Sequence, residues 1–250
     1  VKVPSFPWWR TVLFLIPAIS VYTIVLGALS IGSSLFDRHG YFGHWCARVW
    51  ARLILVTTGV RVEVAGMERL DPNRTYVFVS NHQSHYDTAV LFATLPYQLR
   101  IIAKDALGRF PVLGWHLRRT GHILVDRKRP DRGAIFKWAG RLTSLGLSLI
   151  VYPEGTRSPD GRVAPFKAGS FHIALQAGLA VVPLSISGTR RVMRKGELAA
   201  RPGRVRLVIH DPIETAGLAG ADVKEFAERV RQIVRPAVES DVEDAVHTRI

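Results

Sequence analysis

The chain has 250 residues, 48% hydrophobic and 22% charged, which is enough apolar material for one large core and excludes a disordered protein. Lys and Arg number 34 against 20 Asp and Glu, a formal charge of +14, so the surface favours anionic partners such as nucleic acid, anionic lipid or phosphorylated substrates. The single cysteine, Cys46, excludes an internal disulfide and a cysteine-based zinc site, and its apolar surroundings mark it as a buried small hydrophobe.

The first residue is valine, so a start inside a longer protein, or after processing, is expected. Thr11 through Phe36 carries no charged residue and is long enough to cross a bilayer as a helix. Trp8 and Trp9 precede it, where aromatic side chains favour the membrane interface. The length of the run, and a second apolar segment close behind, weigh against a signal peptide. A spanning helix fits; so does a hairpin dipped into one leaflet, because Pro17, Gly27 and Gly32-Ser33-Ser34 interrupt the run. The bland alternative is a greasy core helix. Lys2 and Arg10 before it and Arg38 after it leave the orientation open. Asp37-Arg38-His39-Gly40 reads as a turn, and 41–59 as a second apolar helix. Arg48 and Arg52 stand one turn apart on it, facing phosphate head groups or simply solvent. Residues 1–60 are expected to form a membrane-associated helical pair, and 61–250 an α/β domain.

From residue 61 short β-branched runs alternate with helical stretches. Strands are predicted over 61–65, 75–80, 99–103, 121–126, 147–152, 180–186 and 204–210. Most are continuously apolar, as suits strands buried on both faces of a sheet. Helices are predicted over 86–95, 111–119, 132–145, 169–178 and 221–236, the last with Val223, Phe226, Val230, Ile233 and Val234 on one stripe. The pattern predicts an α/β fold, a mixed and mostly buried sheet of about seven strands layered with helices. The tail from Glu239 is polar and is expected to fray.

Two segments carry chemistry. His82 follows a predicted strand and precedes Asp87 by five residues, a base with a carboxylate able to fix its tautomer. Ser84 lies two residues from that base and no Gly-x-Ser-x-Gly elbow exists, so Ser84 reads as a turn or capping residue. His85 joins no His-Glu-x-x-His set and has no cysteine partner, so no metal site is expected. The second segment is Glu154-Gly155-Thr156-Arg157 after a strand and Pro153. Gly155 allows a tight turn, Thr156 and nearby amides can donate to phosphate oxygens, and Arg157 offers a planar fork. Glu154 either orients Arg157 or closes the loop through backbone amides.

Four blocks in register carry a resemblance: Asn81-His82-Gln83-Ser84-His85-Tyr86-Asp87, Gly121-His122-Ile123-Leu124-Val125-Asp126-Arg127, Tyr152-Pro153-Glu154-Gly155-Thr156-Arg157-Ser158, and Val181-Val182-Pro183-Leu184. In order and spacing they resemble the lysophosphatidic acid (1-acylglycerol-3-phosphate) acyltransferase family, bacterial type, over roughly residues 60–210. Tyr152 stands where Phe is commoner, a minor change, and His122 replaces an apolar residue without an evident role. The resemblance implies that His82 is the general base, Asp87 its partner, and Asp126, Arg127 and Glu154 to Arg157 the acceptor phosphate site. Asn81 is grouped with the substrate-binding residues, and Lys104 and Lys167, each near a block, are added as further contacts to phosphate, coenzyme A or an acidic carrier. The implied reaction moves an acyl chain from acyl-CoA or acyl carrier protein to the sn-2 hydroxyl of lysophosphatidic acid, without metal or other cofactor. Another lysolipid acceptor, or a non-catalytic lipid-binding scaffold, remains the alternative. The expected place is an anionic membrane, the bacterial inner membrane with the site at its cytoplasmic face. A nucleic-acid partner is not expected, because no recognised nucleic-acid-binding motif accompanies the charge.

Overall fold

A computed structural model of the chain describes residues 5–37, 39–126, 144–218 and 220–247, together with residues 133, 135, 137, 138 and 140. Seven strands form one sheet: β1 (Val60–Ala65), β2 (Val77–Ser80), β3 (Leu99–Lys104), β4 (Ile123–Val125), β5 (Ser148–Val151), β6 (Val181–Ser187) and β7 (Gly203–Ile209). All seven were legible as runs of β-branched residues. Their order is β1-β7-β6-β2-β5-β3-β4. Neighbours run parallel except β6 and β7, which makes the sheet mixed as predicted. Every residue of β2, β5 and β6 is buried, the consequence of helices on both faces.

One apolar layer packs Phe78, Leu99, Leu184 and Ile186 of the sheet against Ala51, Leu55 and Leu91 of the helices. The opposite layer packs Val79, Leu149 and Val181 against Phe171, Phe226, Val230 and Val234. The predicted stripe on the last helix is therefore the buried one, with Ile233 half-buried at its edge. That helix runs Val223–His247, through Pro236 and past the expected end at 236. The missing proline N–H is offset by continued packing, since Val238 is fully buried. The helix predicted over 132–145 lies mostly outside the described residues.

At the N-terminus a helix runs Phe6–Ser33, with an 18-residue window of mean hydropathy 2.4 that is only 6% buried. So exposed an apolar face is not that of a core helix. Helix Tyr41–Thr58 packs beside it and also on helix Tyr86–Thr94. Arg10 ties the two together by donating to the carbonyls of Thr57 (3.1 Å) and Thr58 (2.8 Å) at a helix C-terminus. The turn between them is held from below by Arg100 of β3. Its fully buried guanidinium donates to His39 O (2.7 Å), Gly40 O (3.3 Å) and Leu99 O (2.9 Å). Burial lowers Arg100 to about 10, so it stays charged at neutral pH.

Buried histidines flank Arg100, His116 and His122 among them. His122, for which the sequence offered no role, accepts the Ile101 N–H at Nδ1 (3.1 Å). His116 Nδ1 meets Ser30 Oγ at 2.7 Å, joining the short helix Leu113–Arg119 to the N-terminal helix. Burial, with the Arg100 charge adding, lowers His116 to about 4 and pushes His122 well below the ordinary 6.5. Both are neutral in the fold and take up protons on unfolding, so stability is full above pH 6.5 and falls as pH drops toward 4. We expect the urea midpoint to fall between pH 7 and pH 5, with a smaller fall in His116→Gln. Burial of Glu154 acts with the opposite sign over this range, so the comparison of the two proteins decides: equal slopes in wild type and His116→Gln would contradict the assignment.

Candidate active site

Because β6, β2 and β5 are parallel neighbours, their C-terminal ends open side by side. The segments that follow them, 81–87, 152–158 and 188–195, therefore meet in one crevice, where ligands of open α/β sheets bind.

His82 Nδ1 lies 2.8 Å from Asp87 Oδ2. A carboxylate only accepts, so Nδ1 carries the proton and Nε2 presents a lone pair. Nε2 has no partner among the described residues, and the side chain is 12% exposed. The five-residue spacing works because Asp87 sits in the first turn of helix 86–94, and the loop before it folds back over the carboxylate. Oδ2 also accepts the N–H groups of Gln83 (2.7 Å) and Ser84 (2.9 Å), and Oδ1 accepts the Thr189 hydroxyl. Asp87 is fully buried, and these donors stabilise its charge. Tyr152 stacks on the imidazole, centroids 4.2 Å apart at 21°. Its hydroxyl, pushed well above its ordinary range by burial, lies 3.1 Å from Thr88 Oγ1. The Tyr-for-Phe change thus ties the ring above the histidine to the helix that carries Asp87.

The loop 152–158 is fastened to His82 twice. Glu154 Oε1 accepts the His82 N–H (2.7 Å), and Ser158 N–H donates to His82 O (2.7 Å). Glu154 Oε2 accepts the Ala164 N–H (3.1 Å). Glu154 makes no ion pair with Arg157; of the two roles the sequence left open, the structure shows the loop-closing one. Burial raises its carboxyl to about 7, against the two N–H donors that favour charge. Gly155 has φ 73°, and a Cβ there would meet Lys167 Nζ at 2.6 Å, so Lys167 lies across the turn. Thr156 is exposed and Arg157 half-buried. The Arg157 charge joins burial in lowering the imidazole of His85.

The other expected contacts fall elsewhere. Asn81 is fully buried, its amide exchanging two 2.8 Å bonds with the backbone of Ile186, so it is a clamp between β2 and β6 rather than a group facing substrate. Lys104 ends β3, two strand positions from β2. Asp126 is exposed directly after β4, three positions from β2, about 14 Å at the usual strand spacing. Arg127 lies outside the described residues. Ser84 is a turn residue, as read: its hydroxyl donates to Met193 O (2.8 Å) and accepts the Tyr86 N–H (3.3 Å).

Sequence reasoning missed Thr189. The signal was Gly188-Thr189 at the end of an apolar strand. Gly188 has φ 89° and no room for a Cβ, which would meet Arg204 O at 2.4 Å. The sharp turn aims the buried Thr189 hydroxyl at Asp87. Thr189→Val should lower kcat about tenfold and displace the pH–rate profile, with Thr189→Ser restoring both. An unchanged profile would make the threonine a packing residue only.

Also missed was a cavity of about 310 Å³ lined in part by His85, on the order of ten water volumes. Leu26, Trp50, Phe92, Ile101 and Leu113 wall it together with His85 and Thr88, which are close to His82 and Asp87 in sequence. Four separate segments build this space, and no local pattern announces it.

Residues 61–187 match the family described as Acyltransferase. A chloroplastic 1-acyl-sn-glycerol-3-phosphate acyltransferase of Brassica napus is 38% identical over 183 residues, 72% of this chain and 53% of that protein. The alpha enzyme of Bos taurus is 37% identical over 175 residues, 69% of this chain and 61% of its own. A 1-acyl-sn-glycerol-3-phosphate acyltransferase of Limnanthes alba is 32% identical over 193 residues, 76% of this chain and 68% of its own. The chain thus spans about half to two thirds of the length of these curated relatives. The crystal structure of PlsC, the 1-acyl-sn-glycerophosphate (LPA) acyltransferase from Thermotoga maritima, superimposes with a TM-score of 0.73 at 28% identity, over 92% of this chain and 97% of that one. Sequence across the sheet and fold across nearly the whole chain agree: the chain belongs to the acyltransferase family, among the 1-acyl-sn-glycerol-3-phosphate acyltransferases.

Proposed function

We propose that the chain is a membrane-bound O-acyltransferase that moves an acyl group from an acyl thioester, of coenzyme A or acyl carrier protein, to the sn-2 hydroxyl of lysophosphatidic acid. The observation that carries this reading is the unpartnered His82 Nε2 beside a turn that presents Arg157 and Lys167. Nε2 takes the hydroxyl proton as the oxygen attacks the thioester carbonyl carbon. Asp87 stabilises the imidazolium so formed. The tetrahedral intermediate collapses, the C–S bond breaks, and the imidazolium returns its proton to the leaving thiolate. The products are phosphatidic acid and free thiol. A thioester is already activated, so positioning plus a base suffices and no acyl-enzyme is needed.

Arg157 and Lys167 hold the acceptor phosphate in this reading, and the 310 Å³ cavity takes the acyl chain next to His85. Lys104, Asp126 and Arg127 are proposed to contact the rest of the ligands. The exposed apolar faces of helices 6–33 and 41–58 hold the crevice at the surface of an anionic membrane, where both lipids reside. The site is proposed to lie at the cytoplasmic face of a bacterial inner membrane, the side on which donor thioesters are made. The test is an assay of purified protein in detergent with lysophosphatidic acid and acyl-CoA or acyl carrier protein. Phosphatidic acid and thiol should appear in equal amounts; neither donor giving product would overturn the reading.

A further inference from the structure

The segment between β6 and β7 contains Arg190, Arg191, Arg194 and Lys195 and belongs to none of the four sequence blocks. Its beginning is fastened to the dyad. Thr189 bonds Asp87, and Met193 O accepts the Ser84 hydroxyl. Its far end crosses the neighbouring turn, where Lys195 Nζ donates to Thr156 Oγ1 (3.2 Å) and Arg157 O (3.0 Å). Three cations thus belong to or touch residues 155–157: Arg157 of the turn itself, Lys167 across Gly155, and Lys195 bonded to Thr156 Oγ1 and Arg157 O.

None of the three is paired with a carboxylate among the described residues. Of the acids on either side of Arg157 in the chain, Glu154 points both oxygens at backbone N–H groups, and Asp160 accepts from the Ser158 hydroxyl and the Arg162 N–H. Glu197 is engaged by Arg194 and Arg201. Like charges gathered this closely repel, and an anion seated among them removes the repulsion. Lys195 has a third ammonium hydrogen beyond the two bonds it makes and an exposed position.

We infer that Lys195 is the third cation of an acceptor-phosphate site and selects for a phosphate monoester on the lysolipid. The inference rests on the acyl-transfer reading above. The acceptor is favoured over the donor by length. In lysophosphatidic acid only two carbons and one ester oxygen separate the reacting hydroxyl oxygen from phosphorus. In coenzyme A the phosphates lie a full pantetheine arm away from the thioester. The turn is fastened to His82 itself by two 2.7 Å bonds, so it suits the shorter of these spans.

The experiment compares wild type, Lys195→Gln and Lys195→Arg on lysophosphatidic acid and on the monoacylglycerol of the same chain. In Lys195→Gln the apparent KM for lysophosphatidic acid should rise about tenfold. The ratio of kcat/KM on the phosphorylated acceptor to that on monoacylglycerol should fall by a similar factor. Donor KM and thermal midpoint should stay at wild-type values, and Lys195→Arg should recover most of the ratio. An unchanged acceptor KM overturns the inference. So does a rise in donor KM instead, which moves Lys195 to the donor's phosphate. So does a fall in thermal midpoint with both KM values rising together, which makes Lys195 a latch on the turn. A wild-type protein that does not acylate lysophosphatidic acid refutes the functional reading itself, and is told apart because it precedes any variant.

Discussion

Replacing His82 by alanine should abolish acyl transfer, lowering kcat by about 10²–10⁴-fold or more, while leaving the fold intact. The ring is 12% exposed, and its one side-chain hydrogen bond goes to Asp87. Asp87 keeps three other donors after the change: the N–H groups of Gln83 and Ser84 and the Thr189 hydroxyl. No buried charge is left bare, so the thermal midpoint should move little. Asp87→Asn should reduce kcat to a similar order by another route. An amide presents a donor on one side, so it cannot accept from Thr189 and also from His82, Gln83 and Ser84. The histidine then loses the partner that fixes Nδ1–H and supports the imidazolium. Stopped-time assays on purified variants with matched circular dichroism decide the matter. Near-normal turnover in His82→Ala would end the general-base mechanism.

Arg157→Ala should raise the apparent KM for lysophosphatidic acid by about tenfold to a hundredfold, with a smaller effect on donor KM. A bidentate charge-assisted contact contributes about 1.5–3 kcal/mol. Arg157→Lys should restore the affinity only in part, because an ammonium keeps the charge and loses the fork. The rival role, structural partner of Glu154, predicts a lower thermal midpoint with both KM values rising. The geometry already weighs against that role, since both Glu154 oxygens accept backbone N–H groups. A stable Arg157→Ala protein with wild-type acceptor KM would remove the residue from the phosphate site.

What the sequence carried well were features written in local pattern. The buried strands read as β-branched runs because helices cover both faces, and two of the three loops of the crevice read as motifs because their glycine, base and carboxylates lie within a few residues. What it carried poorly depends on topology. β6 lies beside β2 only through the strand order, so nothing local says that Thr189 reaches Asp87 or that Lys195 reaches Thr156. Asn81 is grouped with the expected ligand contacts, yet the adjacency of β2 and β6 makes it a clamp on Ile186. Arg100 sits between apolar residues of β3 and serves backbone carbonyls far away in sequence, which no periodicity reveals. The helix past Pro236 is sustained by Val238 in the core, a tertiary effect that outweighs the local signal to stop.

The central claim is that a base and a phosphate-binding turn share one crevice and act on one small acceptor. The direct measurement is the ratio of kcat/KM for lysophosphatidic acid to that for the monoacylglycerol of the same chain, with one acyl donor and wild-type protein. Loss of a phosphate held by several charge-assisted contacts should make this ratio on the order of 10² or larger. A ratio near one would contradict the account, because the turn at residues 154–157 would then contribute nothing to recognition of the acceptor.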